Sequence, residues 1–154
     1  MKPDVWSKPE HSWMNVNNDP YLSRGAIKVV EITADDIQRF VELSGDRNPI
    51  HSDEFIARKS IFGKRIAPGM MVASYISAVI ANDLPGPGAI YLQQELKFEA
   101  PVFIGDRITV MARVIETPRP GRLVLETTCT NQEAVVVISG KALVKTPQGF
   151  EVHG

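Results

Sequence analysis

Cysteine is almost absent from this chain: Cys129 is the one example in 154 residues. No disulfide and no Cys-based zinc site can form within one chain, and a lone thiol fits a reducing cytoplasm. Histidine is scarce as well. His11, His51 and His153 lie far apart in sequence, without metal-ligand spacing, so no metal is expected. Positive charge is not in excess, with 17 Lys and Arg against 18 Asp and Glu and a net charge of −1. That balance lacks the basic stripe of a nucleic-acid binder, and no nucleic-acid partner is expected. Long apolar runs are missing too. MMVASYISAVIA, residues 70–81, is the longest at 12 residues, against the roughly 20 needed to span a bilayer. The N-terminal MKPDVWSKPEHSWMNVNNDPYLSRG has no apolar h-region of the kind a secretory signal needs. A cytoplasmic location with no membrane partner is the expectation. There are no internal repeats and no low-complexity segments.

What remains is a chain of single-domain size with 44% hydrophobic residues, enough for an ordinary core. Residues 1–25 are rich in Pro, Asn and charge and show no period; they read as an N-terminal arm that also carries Trp6 and Trp13. Residues 26–147 read as the folded domain and 148–154 as a C-terminal tail. AIKVVE predicts a short strand. TADDIQRFVELSG predicts a helix with Thr33 as N-cap, Asp36 at the capping-box position and Gly45 as the stop. SDEFIARKS predicts a second short helix capped by Ser52 or Asp53. Residues 70–82 predict a helix that is apolar nearly all round and so needs enclosure by other elements.

After LPGPG the apolar period changes from 3.6 to 2. Ile90, Leu92, Leu96 and Phe98 share a strand face, with Gln94 as a polar exception. Ile108, Val110, Ala112 and Val114 share another, and Leu123, Leu125, Thr127 and Cys129 a third. AVVVISGKALVK is a longer strand with Gly140 as an expected bulge. TPRPGR and TNQE read as hairpin connections. The resulting layout is α+β, a curled antiparallel sheet of about five strands around one long helix. Its exposed edges predict pairing into a homodimer.

GDRNPIHSD, residues 45–53, places Asp46 and His51 either side of Asn48-Pro49. Pro49 fixes its own φ and drives Asn48 away from the α region, so an extended, rigid turn is expected. A carboxylate and an imidazole aimed at one cavity can hold a water and move its proton. Asp46 and Asn48 serve equally well as turn and cap residues, and His51 as a hydrogen-bonded loop residue. The residues alone leave both readings open.

GDRNPIH resembles the D-x-N-P-[IL]-H signature of the MaoC-like, (R)-specific enoyl-CoA hydratases, which share the hot dog fold. PGMMVAS, LPGPGAIYLQQELKFEAPVFIGDRITV and GKALV extend the likeness over roughly residues 27–146. The resemblance implies a single hot dog domain with an active-site overhang of short helices. It implies Asp46 and His51 as the catalytic pair holding water, and Gly69 as the residue whose backbone N–H polarises the thioester carbonyl. Asn48 would shape the turn, and Ser77 would support the site from the central helix, with Ser74 a packing residue. One departure is Pro68-Gly69, where the family usually has His-Gly; a backbone donor survives that change.

The implied reaction is reversible syn hydration of a trans-2-enoyl-CoA. No cofactor is expected, since coenzyme A or acyl carrier protein is the carrier part of the substrate. Lys64, Arg65, Arg119 and Arg122 are candidates to meet coenzyme A phosphates, as well as ordinary surface cations. Three alternatives stand beside this reading. One is the same chemistry on an acyl carrier protein in fatty-acid or polyketide synthesis. The others are a hot dog thioesterase and a non-catalytic acyl-CoA-binding protein. Retention of Asp46, His51 and Gly69 together argues against the last.

Overall fold

The computed structural model describes residues 19–147. Trp6, Trp13, His11 and most of the expected arm lie outside that range, as do His153 and the expected tail. The end of the arm is inside it. Residues 19–24 form a turn in which Tyr21 packs against the core, so the packed unit begins before the expected boundary at 26.

The elements in chain order are β1 (Gly25–Glu31), α1 (Ala34–Ser44), α2 (Pro49–Ser52), α3 (Glu54–Lys59), α4 (Gly69–Asn82), β2 (Ile90–Phe98), β3 (Arg107–Arg119), β4 (Arg122–Thr130) and β5 (Val136–Lys145). The strands form one antiparallel sheet in the order β1-β3-β4-β5-β2. Its inner face wraps α4. This is the hot dog arrangement, with α1 to α3 as the overhang.

The inward faces of β3 and β4 follow the period-2 expectation. Ile108, Val110 and Ala112, and Leu123, Leu125, Thr127 and Cys129, are all completely buried. Ile37, Val72, Ile76 and Val79 meet them from the helical layer. Each buried Ile or Leu stabilises by about 1.5–3 kcal/mol. Burial pushes the Cys129 thiol up to about 12, which leaves no thiolate nucleophile near neutral pH.

Three expectations need correction. On β2 the alternation is broken by a bulge between Tyr91 and Gln93. Tyr91 and Leu96 pack on the core while Ile90 and Leu92 are exposed. Gly140 is not a bulge; it pairs regularly with both Leu96 and Thr127. Its reason is proximity, because a Cβ there would overlap the Glu95 carbonyl oxygen of β2. The irregularity of β5 falls instead opposite Cys129 and Thr130. Thirdly, α4 is not enclosed on every side. Met70, Ser74 and Ser77 are exposed along one face, where β2 is the edge strand.

The chain turns follow local chemistry. Thr33 Oγ1 accepts from the Asp36 N–H at 3.1 Å, and Gly45 ends α1 at φ 75°. Asp53 caps α3 by accepting from the Ile56 N–H at 3.0 Å. TPRPGR is partly strand, since β3 runs to Arg119 and only Pro120 and Gly121 turn the corner. At the other hairpin, Asn131 Oδ1 accepts from the N–H groups of Glu133 and Val135.

Candidate active site

Asn48 leaves α1 in an extended conformation (φ −60°, ψ 117°), as the residue before a proline must. From Pro49 onward the chain departs from the expected extended turn. Pro49 opens a one-turn helix, α2, at the position where its missing N–H costs nothing. His51 therefore sits on a helical turn and is buried, 6% exposed.

The two oxygens of Asp46 have separate tasks. Oδ1 accepts from the Asn48 N–H at 3.0 Å, which closes the turn. Oδ2 stands 3.6 Å from Nε2 of His51. That separation is too long for a direct hydrogen bond and suits a shared water. On the other side of the ring, Nδ1 lies 2.8 Å from the Ile66 carbonyl oxygen. A carbonyl only accepts, so Nδ1 carries the proton in the neutral ring and Nε2 presents its lone pair to Asp46. Two acceptors then face one gap, and each can take one O–H of the same water.

The loop from Ser60 to Pro68 holds this arrangement. Ile66 N–H donates to the Ile50 carbonyl, Ile66 bridges to Phe103, and Ala67 N–H donates to Val102 at 2.7 Å. Arg65, a candidate for the coenzyme A rim, has its guanidinium turned inward instead. Nε donates to the His51 carbonyl at 2.8 Å and NH1 pairs with Glu54 at 3.6 Å, with the side chain 15% exposed. It is a positioning residue for α2, and sequence spacing carried no signal of that.

Asp46, Gly69 and Pro68 line one cavity of about 510 Å³, with Phe62, Val72, Phe98, Glu99, Val137 and Ile138 among its other walls. Gly69 is the first residue of α4, and Pro68 precedes it without a side-chain cap. The first N–H groups of a helix have no intrahelical acceptor and carry the positive end of its dipole. They meet the same cavity as Asp46. A Cβ on residue 69 would lie 2.6 Å from the Phe98 ring, so glycine lets that ring close over the helix start.

The other expected site residues are dispersed. Asn48 shapes the turn and caps α2, its Oδ1 accepting from the Ile50 N–H at 3.4 Å. Ser77 does not reach this cavity in the same chain. It lines a separate groove with Met70, Ser74, Tyr91 and Leu92. Met70 borders both hollows, so they adjoin along α4. Ser74 Oγ donates to the Met71 carbonyl. Lys64 is exposed on the loop from Ser60 to Pro68, its ammonium 4.2 Å from the Phe103 ring centre. Arg119 and Arg122 sit at the opposite end of the sheet. Arg122 pairs with Lys145, seven residues along β5 from the cavity residue Ile138, or about 23 Å at ~3.3 Å per residue. They do not rim this cavity from within one chain. Glu99 had no signal in the sequence beyond its position after β2.

The model of the MaoC like domain family matches residues 16–137. A 3-hydroxybutyryl-CoA dehydratase from Methylorubrum extorquens is 48% identical over 122 residues, covering 79% of this chain and 77% of that protein. An (R)-specific enoyl-CoA hydratase from Rhodospirillum rubrum is 47% identical over 117 residues, covering 75% and 81%. Among solved structures, unliganded R-hydratase PhaJ1 from Pseudomonas aeruginosa superposes with a TM-score of 0.80 at 38% identity, over 86% of this chain and 88% of that one.

Proposed function

This chain belongs to the MaoC-like domain family, and from that footing we propose that it adds water reversibly to a trans-2-enoyl-CoA to give the (R)-3-hydroxyacyl-CoA. It is a hydro-lyase. The observation that carries the reading is the 3.6 Å gap between Asp46 Oδ2 and His51 Nε2, with Asp46 lining the same cavity as Gly69, the first residue of α4.

In the proposed sequence, the water held between Asp46 and His51 gives up one proton to that pair. Its oxygen bonds to C3 of the enoyl group. The C2–C3 π electrons move toward the thioester, and the Gly69 N–H donates to the oxygen that gains charge. The helix dipole adds to that stabilisation. The proton then returns from the pair to C2, on the face from which the oxygen came. The net change is one water added syn, with no cofactor taking part. Dehydration is the reverse path through the same groups.

The test is to mix the protein with crotonyl-CoA and follow the conjugated enoyl absorbance. Expected are loss of absorbance, an (R)-3-hydroxy product and no free thiol. Thiol release would move the assignment to a thioesterase, and an inert mixture would remove the hydratase reading for short acyl-CoA substrates.

Gly69→Ala keeps the main-chain donor but forces the Phe98 ring off its place, as the 2.6 Å approach requires. Misplacement on the ångström scale costs up to about 100-fold. A loss of about 10–100-fold in kcat/KM on crotonyl-CoA is expected, with the urea midpoint little changed. Unaltered kinetics would mean that the placement of the Phe98 ring takes no part.

A homodimer through the β2 edge forms part of the proposal. Ile90, Leu92 and Phe98 are 50%, 41% and 55% exposed on that edge strand, and the groove against α4 lies beside them. Pairing would satisfy the open backbone groups of β2 and cover these side chains. Light scattering is expected to give twice the chain mass, and Leu92→Arg to shift it toward one chain. A monomeric wild-type protein at micromolar concentration would remove this part of the proposal.

A further inference from the structure

The helix that carries His51 is one turn long, far below the roughly 12–15 residues at which an isolated helix becomes even marginal in water. The Asp53 N–H donates to the Pro49 carbonyl at 2.9 Å. The next carbonyls, of Ile50 and His51, fall at the helix end, where no further turn supplies donors. Two successive loop residues supply them. The Ile66 N–H donates to the Ile50 carbonyl at 3.2 Å, and Arg65 Nε donates to the His51 carbonyl at 2.8 Å. The Ile66 carbonyl in turn accepts from Nδ1 of the His51 ring at 2.8 Å. His51 is thus held twice, its ring by loop main chain and its backbone by the Arg65 side chain. The loop is itself tied down, since Ile66 bridges to Phe103 and the Ala67 N–H donates to the Val102 carbonyl. Asp46 is anchored separately, through the Asn48 N–H on the other side of Pro49. A shift of His51 therefore changes the 3.6 Å gap instead of carrying both partners along.

We propose that Arg65 is a positioning residue of the hydration reaction itself: its Nε–H bond to the His51 carbonyl fixes the imidazole against Asp46 and so sets kcat. The inference rests on the hydratase reading and adds a residue that acts through His51. Arg65 is not among the residues that line the cavity, so it does not act by binding substrate. Its pairing with Glu54 is a separate matter. Glu54 is 59% exposed and stands at 3.6 Å, and an exposed pair of that kind contributes little. The Nε donor belongs to a side chain 15% exposed, where water competes far less for the bond.

Three substitutions separate the donor from the charge. Counted along the side chain, Arg65→Gln puts an amide N–H donor at the atom where Arg65 carries Nε, without the charge. Arg65→Lys keeps the charge but has a methylene at that atom. Arg65→Met keeps neither. Each variant is followed on crotonyl-CoA for kcat and KM, with the urea midpoint as the check on folding. Arg65→Met and Arg65→Lys are expected to lose about 10–100-fold in kcat, the cost of ångström-scale misplacement, with KM within about twofold of wild type. Arg65→Gln is expected to lose no more than about threefold, and Glu54→Gln no more than about twofold. If Arg65→Met keeps about half or more of the wild-type kcat, the inference is overturned. It is overturned too if Arg65→Lys outperforms Arg65→Gln, which would assign the effect to charge, or if the loss is confined to KM. Should Arg65→Met fail to fold, the order of Arg65→Gln and Arg65→Lys decides alone. If the wild-type protein does not hydrate crotonyl-CoA, the hydratase reading falls and this inference with it.

Discussion

Asp46→Asn is expected to lower kcat for crotonyl-CoA hydration by about 10²–10⁴-fold, the usual contribution of a positioned acid–base group. The side chain is nearly isosteric, and the amide oxygen can keep the bond that Asp46 Oδ1 accepts from the Asn48 N–H. That choice turns the amide nitrogen toward His51, where Asp46 Oδ2 stood 3.6 Å from Nε2. A donor then occupies the imidazole lone pair that otherwise takes a water proton. The gap loses its negative charge and one of its two acceptors in a single change. Folding is expected to be nearly untouched, with a melting temperature within about 2 °C of wild type, because the turn keeps its hydrogen bond. A variant that retains a tenth or more of the wild-type kcat would remove Asp46 from the chemistry.

Gly140→Ala carries the largest expected effect on stability. The added Cβ would overlap the Glu95 carbonyl oxygen and come within 2.9 Å of its carbon, both main-chain atoms of β2. Main chain cannot swing aside as a side chain can, so β2 must move off β5 or the pair must twist. A loss of about 3 kcal/mol is expected, measured as the fall in urea midpoint at constant slope. Gly45→Ala is the contrast. Gly45 stands at φ 75° with nothing within 4 Å of a Cβ, so only the left-handed backbone cost of about 1 kcal/mol applies. Equal losses in the two variants would mean that β2 does not press on Gly140 as described.

The period-2 faces of β3 and β4 were legible in the sequence because both strands lie inside the sheet, with the inward side chains fully buried. Thr33 and Gly45 were legible because capping chemistry is local. Edge strand β2 was not legible in the same way. Its bulge at Tyr91–Gln93 moves which residues face the core, and nothing in the alternation of Ile90 and Leu92 signals the slip. At four residues α2 is too short to show any period. Gly140 was visible as a glycine, but its cause is a carbonyl 45 positions away in sequence, at Glu95. Asp46 and His51 stood out through a short motif, and the structure brings their Oδ2 and Nε2 atoms to 3.6 Å. Arg65, Glu99 and Ser77 depend on tertiary placement, and for them spacing is silent or points elsewhere.

Gly69 begins α4 after a proline, so the group proposed to attract the thioester oxygen is peptide, not side chain. An alanine scan of the cavity would therefore miss half of its chemistry, since every substitution at residue 69 except proline retains an N–H. The same holds over evolutionary time. A lineage can exchange the residue at 68, histidine for proline included, without touching that dipole. Variation at the helix start is thus a poor guide to which members of the family have fallen silent. Replacing the Pro68–Gly69 peptide unit with an ester by chemical ligation would remove the Gly69 N–H alone, the main-chain donor that side-chain replacement cannot reach.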